Sequence, residues 1–394
     1  MHLLSRGPDT NPGRLERWLG SGNVEHLSRQ MERFYWPVPL AGVPGAVFAM
    51  PGGGFSGEIR AGEEVCAIER ARDSLRRYER AQRARLAQQR SIVMGRHHRD
   101  GMGHAAFSSL SALIAAQTGG KGQRLAFQKV GQTAIAVGNC IDLWTVGNQP
   151  AAGGAGAAAP GGTAPTNATT GALSWANPAN SNTGHFVGGA VTAGTGAVGG
   201  NTLLLCDRLF MVAKTMNSTG TEAVTGTFSR YQSSTQTAEN YAGGNFCYPM
   251  VVGTTLPNTA HNWTVCQYTD EGGNTAQSFS SVAGLASATS SIRHIDLAVG
   301  NWFLPLASGD VGVKALTQMQ CSALVATGLV DFVVAHPIAF FPCPVANTVS
   351  IIDGINTAFN LARIYDNACL YFIEMPKPAT TATTYSGVIT AVAE

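Results

Sequence analysis

Charge is scarce over most of this 394-residue chain. Residues 105–394 hold 10 basic and 13 acidic side chains, a density far below the roughly 25% of an average soluble domain. A protein that lives as a free monomer keeps its copies apart with interspersed surface charge. A surface of Ser, Thr, Asn, Gln, Gly and Ala stays wet without repelling its own kind. The deficit therefore favours a surface taken up by neighbours over the alternative, a secreted low-charge β protein.

Other absences narrow the chemistry. None of the eight cysteines (Cys66, Cys140, Cys206, Cys247, Cys266, Cys321, Cys343, Cys369) forms a CxxC pair, so zinc-ribbon and dithiol patterns are missing. Most sit in apolar runs such as LLLCDRLF and ACLYF, where a free thiol behaves as a small buried hydrophobe. No P-loop, GxSxG elbow or HExxH occurs. No run approaches the roughly 18 apolar residues of a membrane span. MHLLSRGPDTNPGR lacks the apolar core of a signal peptide. The sequence thus reads as having no export signal, no membrane anchor and no cofactor.

What is present divides in two. Residues 1–104 carry 16 arginines and 11 acidic residues, a net of +5, while 105–394 net −3. We read 1–104 as an N-terminal arm with an Arg-rich helix at about 61–93, where Val65, Ile68, Ala71, Leu75 and Tyr78 recur at helical spacing. Acid–Arg pairs such as Glu79 with Arg83 support it. Met102 stands where the composition changes, so 1–101 could extend an older start site. Residues 105–147 read as a short helix (106–117) and first strands. The Ala/Gly/Pro-rich stretch 148–172 reads as a surface loop or extended arm, and a second Gly-rich stretch spans 184–200. Residues 173–394 read as a β-sandwich: TLLLCDRLFMVAKTM, NFCYPMVVG, HIDLAV, NWFLPLASG, GLVDFVVAHPIAFFPCPVA, TVSIIDGI and ACLYFIEM are short β-branched or aromatic runs divided by turn residues.

Few residues invite a catalytic or binding reading. Gly194–Gly199 matches GxGxxG, but the fingerprint needs a helix after the glycines, and TLLLCDRLF reads as a strand. Carboxylates are scattered singly. Asp270-Glu271-Gly-Gly-Asn and the Asp310 segment read as turn chemistry, with calcium the lesser alternative. His97, His98, Asp100 and His104 form a His-rich patch lacking a rigid frame for zinc. His336 reads as a satisfied core or interface histidine. Arg72, Arg76, Arg80 and Arg83 belong to an arginine excess read either as a protein-partner helix or as a nucleic-acid contact. Trp144, Phe210, Tyr248, Trp263, Trp302, Phe303 and Phe341 are the interface or core-edge candidates. Trp175, Trp263 and Trp302 would be sugar-stacking platforms if exposed.

TLLLCDRLFMVAKTMNSTGT, WFLPLASGDVGVKAL, DNACLYFIEM and PATTATTYSGVI resemble a set of tailed-bacteriophage virion proteins, over about Phe107 to Ala393 and not over 1–101. The shared pattern is a strand entering DRL, a GDxGV turn, an acidic-Ala-Cys-Leu strand and a Thr-rich final hairpin. It consists of turn and core residues, and the family offers no catalytic residues to carry over. The resemblance implies a multi-copy particle component, best a capsid cement or decoration protein. Its partners would be copies of itself, a trimer for example, and a major capsid protein, in a virion made in the host cytoplasm. The expectation is a non-enzymatic, antiparallel, jelly-roll-like β-sandwich with an Arg-rich helical extension. Alternatives are a tail, neck or baseplate part, a receptor- or glycan-binding module, or a polysaccharide-degrading enzyme.

Overall fold

The structure, a computed structural model, describes residues 107–131, 138–179, 183–194, 201–232, 243–257, 259–284, 292–325, 327–355, 361–375 and 382–394. All fall within one compact unit, Arg80–Glu394. The Arg-rich helix, Cys66, the His97–His104 patch and Arg72, Arg76, Arg80 and Arg83 lie outside the described residues.

The described chain is mainly β and its strand pairs are antiparallel. One helix, α1 (Leu110–Ala116), is capped by Ser109, whose Oγ accepts from the Ala112 N–H. Seventeen strands follow. Those that build the two principal sheets are β1 (Gly122–Val130), β2 (Ile141–Asp142), β3 (Asn148–Gln149), β4 (Gly184–Ala193), β5 (Asn201–Thr215), β7 (Phe246–Val252), β13 (Leu329–Cys343), β14 (Val349–Asp353), β15 (Arg363–Ile364), β16 (Leu370–Met375) and β17 (Thr384–Ala393). Between β5 and β13 the chain also forms β6 (Glu222–Ala223), β8 (Asn262–Trp263), β9 (Gln267–Asp270), β10 (Gln277–Ser278), β11 (Val282–Ala283) and β12 (Val313–Met319). The first sheet runs β14-β4-β17-β1-β3, with β15 also on β4; the second runs β2-β16-β5-β13-β7. β6, β9, β10 and β12 form a smaller sheet, and β8 pairs with β11.

The two principal sheets face each other across an aromatic core. Phe127 of β1 meets Phe372 of β16 at 4.2 Å between ring centroids, and Phe186 of β4 meets Phe341 of β13 edge-on at 6.1 Å. β1 is buried at every second residue, as a strand with one solvated face should be. β5 is buried at nearly every position, because the segment between β5 and β13 covers its other side. There Trp263 stands edge-on to Phe332 at 4.9 Å and Phe228 lies beside Phe210. This explains the unbroken apolar run LLLCDRLFMV. The ends of β1 and β4 lie beside the start of β17, where Gly131 N–H donates to the Thr383 carbonyl and Gly194 N–H to that of Thr384, and Asn347, after β13, donates its N–H to the Ala193 carbonyl.

Several expectations are corrected. The Gly-rich stretch at 184–193 is β4, an interior strand between β14 and β17. A Cβ at Gly184 would lie 2.5 Å from the Trp175 ring, and one at Gly188 would lie 2.7 Å from the Ile352 carbonyl. The GxGxxG letters therefore follow a strand and end at another, β5. The 148–172 segment, read as a surface loop or an extended arm, is a largely exposed, mostly irregular stretch. It folds back along β5 beyond the point where β16 stops, exchanging backbone bonds between Thr163 and Met211. HIDLAV and NWFLPLASG are irregular. Trp302 and Phe303, adjacent in sequence, both turn onto Phe246 instead of alternating across a strand. The Thr-rich C-terminus is no hairpin: β16 pairs with β5, while β17 pairs with β1 and β4.

Candidate functional site

The ionisable residues converge in the interior. Arg208 of β5 has no exposure. Its guanidinium donates to Asp142 Oδ2 and lies over the rings of Trp144 and Tyr371, at 4.8 and 4.5 Å from their centroids. Asp142 is further held by the Trp144 N–H and the Tyr248 hydroxyl, each at 2.7 Å, and Tyr248 bonds Tyr371 at 2.6 Å. Burial alone would lower the Arg208 pKa; Asp142 beside it reverses the sign and holds the cation fast. One residue earlier, Asp207 points to the other side of the strand and takes a two-pronged bond from Arg230, at 2.8 and 2.9 Å, plus the Cys369 N–H. His261 Nε2 bonds Asp296 Oδ2 at 2.7 Å, and Asp331 accepts from Gly156 N–H. Lys129, pushed down to about 8 by burial against the pull of Asp142, donates to the Val146 and Pro150 carbonyls.

Asp142, Asp207, Asp296 and Asp331 all have no exposure. They are interior fastenings, each committed to a partner. A buried pair of this kind contributes little net stability against an apolar replacement, but removing one member is costly. Their visible work is joining elements distant in sequence.

Exposed apolar groups converge elsewhere, on the outer face of the first sheet. Adjacent strands align Ala126, Val388, Ala190 and Ile351 in one cross-strand row. α1 lies across one end of this face, burying Leu113 together with Phe107 and Val392. Beside Leu113 on the helix surface stand Leu110 and Ile114, one helical turn apart, 53% and 54% exposed. Across from them stand Ile351 at 70% and Val349 at 54% on β14, the outermost strand. Between helix and strand runs a groove of about 500 Å³. Its floor is low because Gly188 and Ala190 are small, and Asp353 is the charged side chain that lines it.

The aromatic candidates are elsewhere. Trp144, Phe210, Tyr248, Trp263 and Phe341 are buried in the core, and Trp302 and Phe303 are half-buried against it. Trp175 and Trp263 are buried too, which removes them as sugar-stacking platforms. His336 bonds Asn245 through Nδ1 at 2.6 Å and stacks on Tyr231. Asp270 closes a turn onto Asn274, and Asp310 accepts from the Tyr268 hydroxyl. The seven described cysteines are buried and free, and burial raises the thiol pKa of Cys140 to about 12 and of Cys343 to about 11. The sequence reading missed the groove. Its signal was SSLSALIAAQ, a helix with Leu110 and Ile114 beside Leu113, together with the alternation in VSIID.

No family model matches the chain, and no curated protein matches it. Among solved structures, the chain has weak likeness to the infectious bursal disease virus VP2 subviral particle, at 11% identity and a TM-score of 0.14, over 70% of this chain and 82% of that one. A structure of the Gt strain of the same virus gives 10% and 0.15, over 69% and 81%. Likeness at that level decides neither fold nor role. Among the described residues no helix is long and apolar enough to cross a membrane.

Proposed function

We propose that this chain is a non-enzymatic structural subunit of a virus particle, present in many copies, with a jelly roll as its core. The observation that carries the reading is the strand order. In chain order, β1, β2, β4, β5, β13, β14, β16 and β17 cross between two facing sheets at every step but β5 to β13, and the sheets run β1-β17-β4-β14 and β2-β16-β5-β13. With β3, β7 and β15 set aside as additions at the sheet margins, that order supports reading the core as an eight-stranded jelly roll, a fold of capsid proteins, lectins and cupins. Within that set, three features favour the particle. Among the described residues, aromatic rings such as Phe127 and Phe372 pack against each other between the sheets. The interior carboxylates are spent on structural bonds. The surface is poor in charge and carries an exposed apolar face.

The resemblance of the DRL strand, the GDxGV turn and the ACLYFIEM strand to tailed-bacteriophage virion proteins points to a phage, and a cement or decoration role at the capsid surface is the reading we adopt. The partners would be further copies and a major capsid protein. An N-terminal Arg-rich segment is available for a protein or nucleic-acid contact. The test is an inventory of purified particles by mass spectrometry and cryo-electron microscopy. Many copies in the capsid shell are expected; a chain absent from particles, or confined to a few copies in the tail, overturns it.

A further inference from the structure

The outer face of the first sheet is built to receive something, and three observations together single out its occupant. The first is shape. The face carries both a ridge and a hollow: Leu110 and Ile114 project from α1, while the strip over Gly188, Ala190 and Val388 lies open beside them. A ridge and a matching hollow on one surface are what a two-fold contact between identical subunits requires, since each copy must supply both halves.

The second is charge. α1 has no acidic residue in its first turn and no basic residue in its last. β4 and β17 contribute neither Lys, Arg, Asp nor Glu. The groove has Asp353 alone. On β1, Arg124 is exposed beside the groove-lining Thr390, so the face holds one cation and one carboxylate, too few to address a highly charged partner such as nucleic acid or to repel its own copy strongly. The third is area. Leu110, Ile114, Val349, Ile351, Ile355 and Val388 are each 37–70% exposed. Together they amount to roughly 500 Å² of apolar surface per copy, so two faces approach the roughly 1,000 Å² of a specific interface.

We propose that a second copy of this chain docks on this face through a two-fold contact, with the two α1 helices side by side between the two sheets. Leu110 and Ile114 of each copy then lie in the groove of the other, against Val388 and Ile351. This inference rests on the assembly reading and identifies the surface that would serve it.

The experiment uses the full chain in sedimentation velocity over a concentration series. Ile351→Glu and Ile114→Glu are compared with Leu324→Glu, an equally exposed apolar site outside the face. The native chain is expected to dimerise. Each face variant should weaken dimerisation about a hundredfold, because every dimer carries the substitution twice. Leu324→Glu should match the native chain, and circular dichroism should be the same for all. Independently, a photo-crosslinker at position 351, in a mixture of isotopically light and heavy chains, should join residues 107–121 of another copy. Crosslinks to residues 1–106, or only within one copy, overturn the proposal. A chain that associates but ignores both face variants overturns this face and leaves the assembly reading standing. A chain that is monomeric yet present in particles overturns self-docking alone; one that is monomeric and absent from particles overturns both.

Discussion

Arg208 is a cation with no exposure, and its single ionic partner, Asp142, lies 66 residues away in sequence. Such a group tolerates no loss of its partner. Arg208→Met should cost about 3–5 kcal/mol, because Asp142 is then a buried charge without its bonded cation. The double variant Arg208→Met/Asp142→Asn should recover part of that loss; urea unfolding of the native chain, the single and the double variant decides it, and full additivity would refute the coupling. Asp331 offers a test by pH. Burial is the main cause that raises its carboxyl to about 6, while the Gly156 bond and Arg208 pull it down. The folded state therefore holds a proton on Asp331 between about pH 4 and 6 that the unfolded state has released. Its contribution is fully present near pH 4 and is lost as the pH rises through 6. Asp331→Asn, which can keep the bond from Gly156, should flatten the fall in urea midpoint across that window. Parallel curves would refute it. None of this was legible in LLLCDRLF. The run announced a buried strand, but a charged pair inside it has meaning only once Asp142 and Arg230 are known to arrive from other elements.

At the scale of elements, glycine was the most ambiguous letter. Absence of side chains reads as a loop or arm, yet here it twice serves close approach. In β4 it lets Trp175 and the Ile352 carbonyl come near the backbone. In the 148–172 segment, Gly153 lies under the Trp144 indole, whose Nε1 donates to the Gly154 carbonyl at 2.8 Å. A Cβ on Gly153 would lie 2.1 Å from that ring, and the Arg208 guanidinium packs over the same ring. Gly153→Ala should therefore destabilise by about 1–3 kcal/mol through overpacking. Gly154→Ala, whose Cβ meets nothing within 4 Å, should stay within about 0.5 kcal/mol of the native chain. Equal denaturation midpoints for the two variants would mean that the segment is an arm after all. The strands of the two principal sheets were more legible: β1 alternates, and β5 and the first half of β13 are apolar runs covered on both faces, although Phe340 near the end of β13 is exposed. HIDLAV and NWFLPLASG were not: residues 293–296 bond the backbones of β2 and β7 through single bridges only, and Trp302 and Phe303 turn together onto Phe246.

For the whole molecule, the scarcity of charge seen in the sequence becomes a statement about one face. The interior takes Arg208, Asp142, Asp207, Asp296 and Asp331 out of an already short supply, and the outer face around Val388 and Ile351 is left with Asp353 and Arg124 among mostly apolar neighbours. Association through that face should follow apolar burial rather than ion pairing. Ionic screening shortens from about 10 Å at 0.1 M salt to about 3 Å at 1 M, so a contact made by Lys or Arg would weaken steeply over that range. Association through Leu110, Ile114 and Ile351 should barely change in sodium chloride, should strengthen in sulfate, and should weaken on cooling, since apolar burial loses its driving force at low temperature. Sedimentation equilibrium of the full chain in the two salts and at two temperatures separates the cases. A dimer that dissociates as sodium chloride rises would assign its contact to the arginines of the first hundred residues instead.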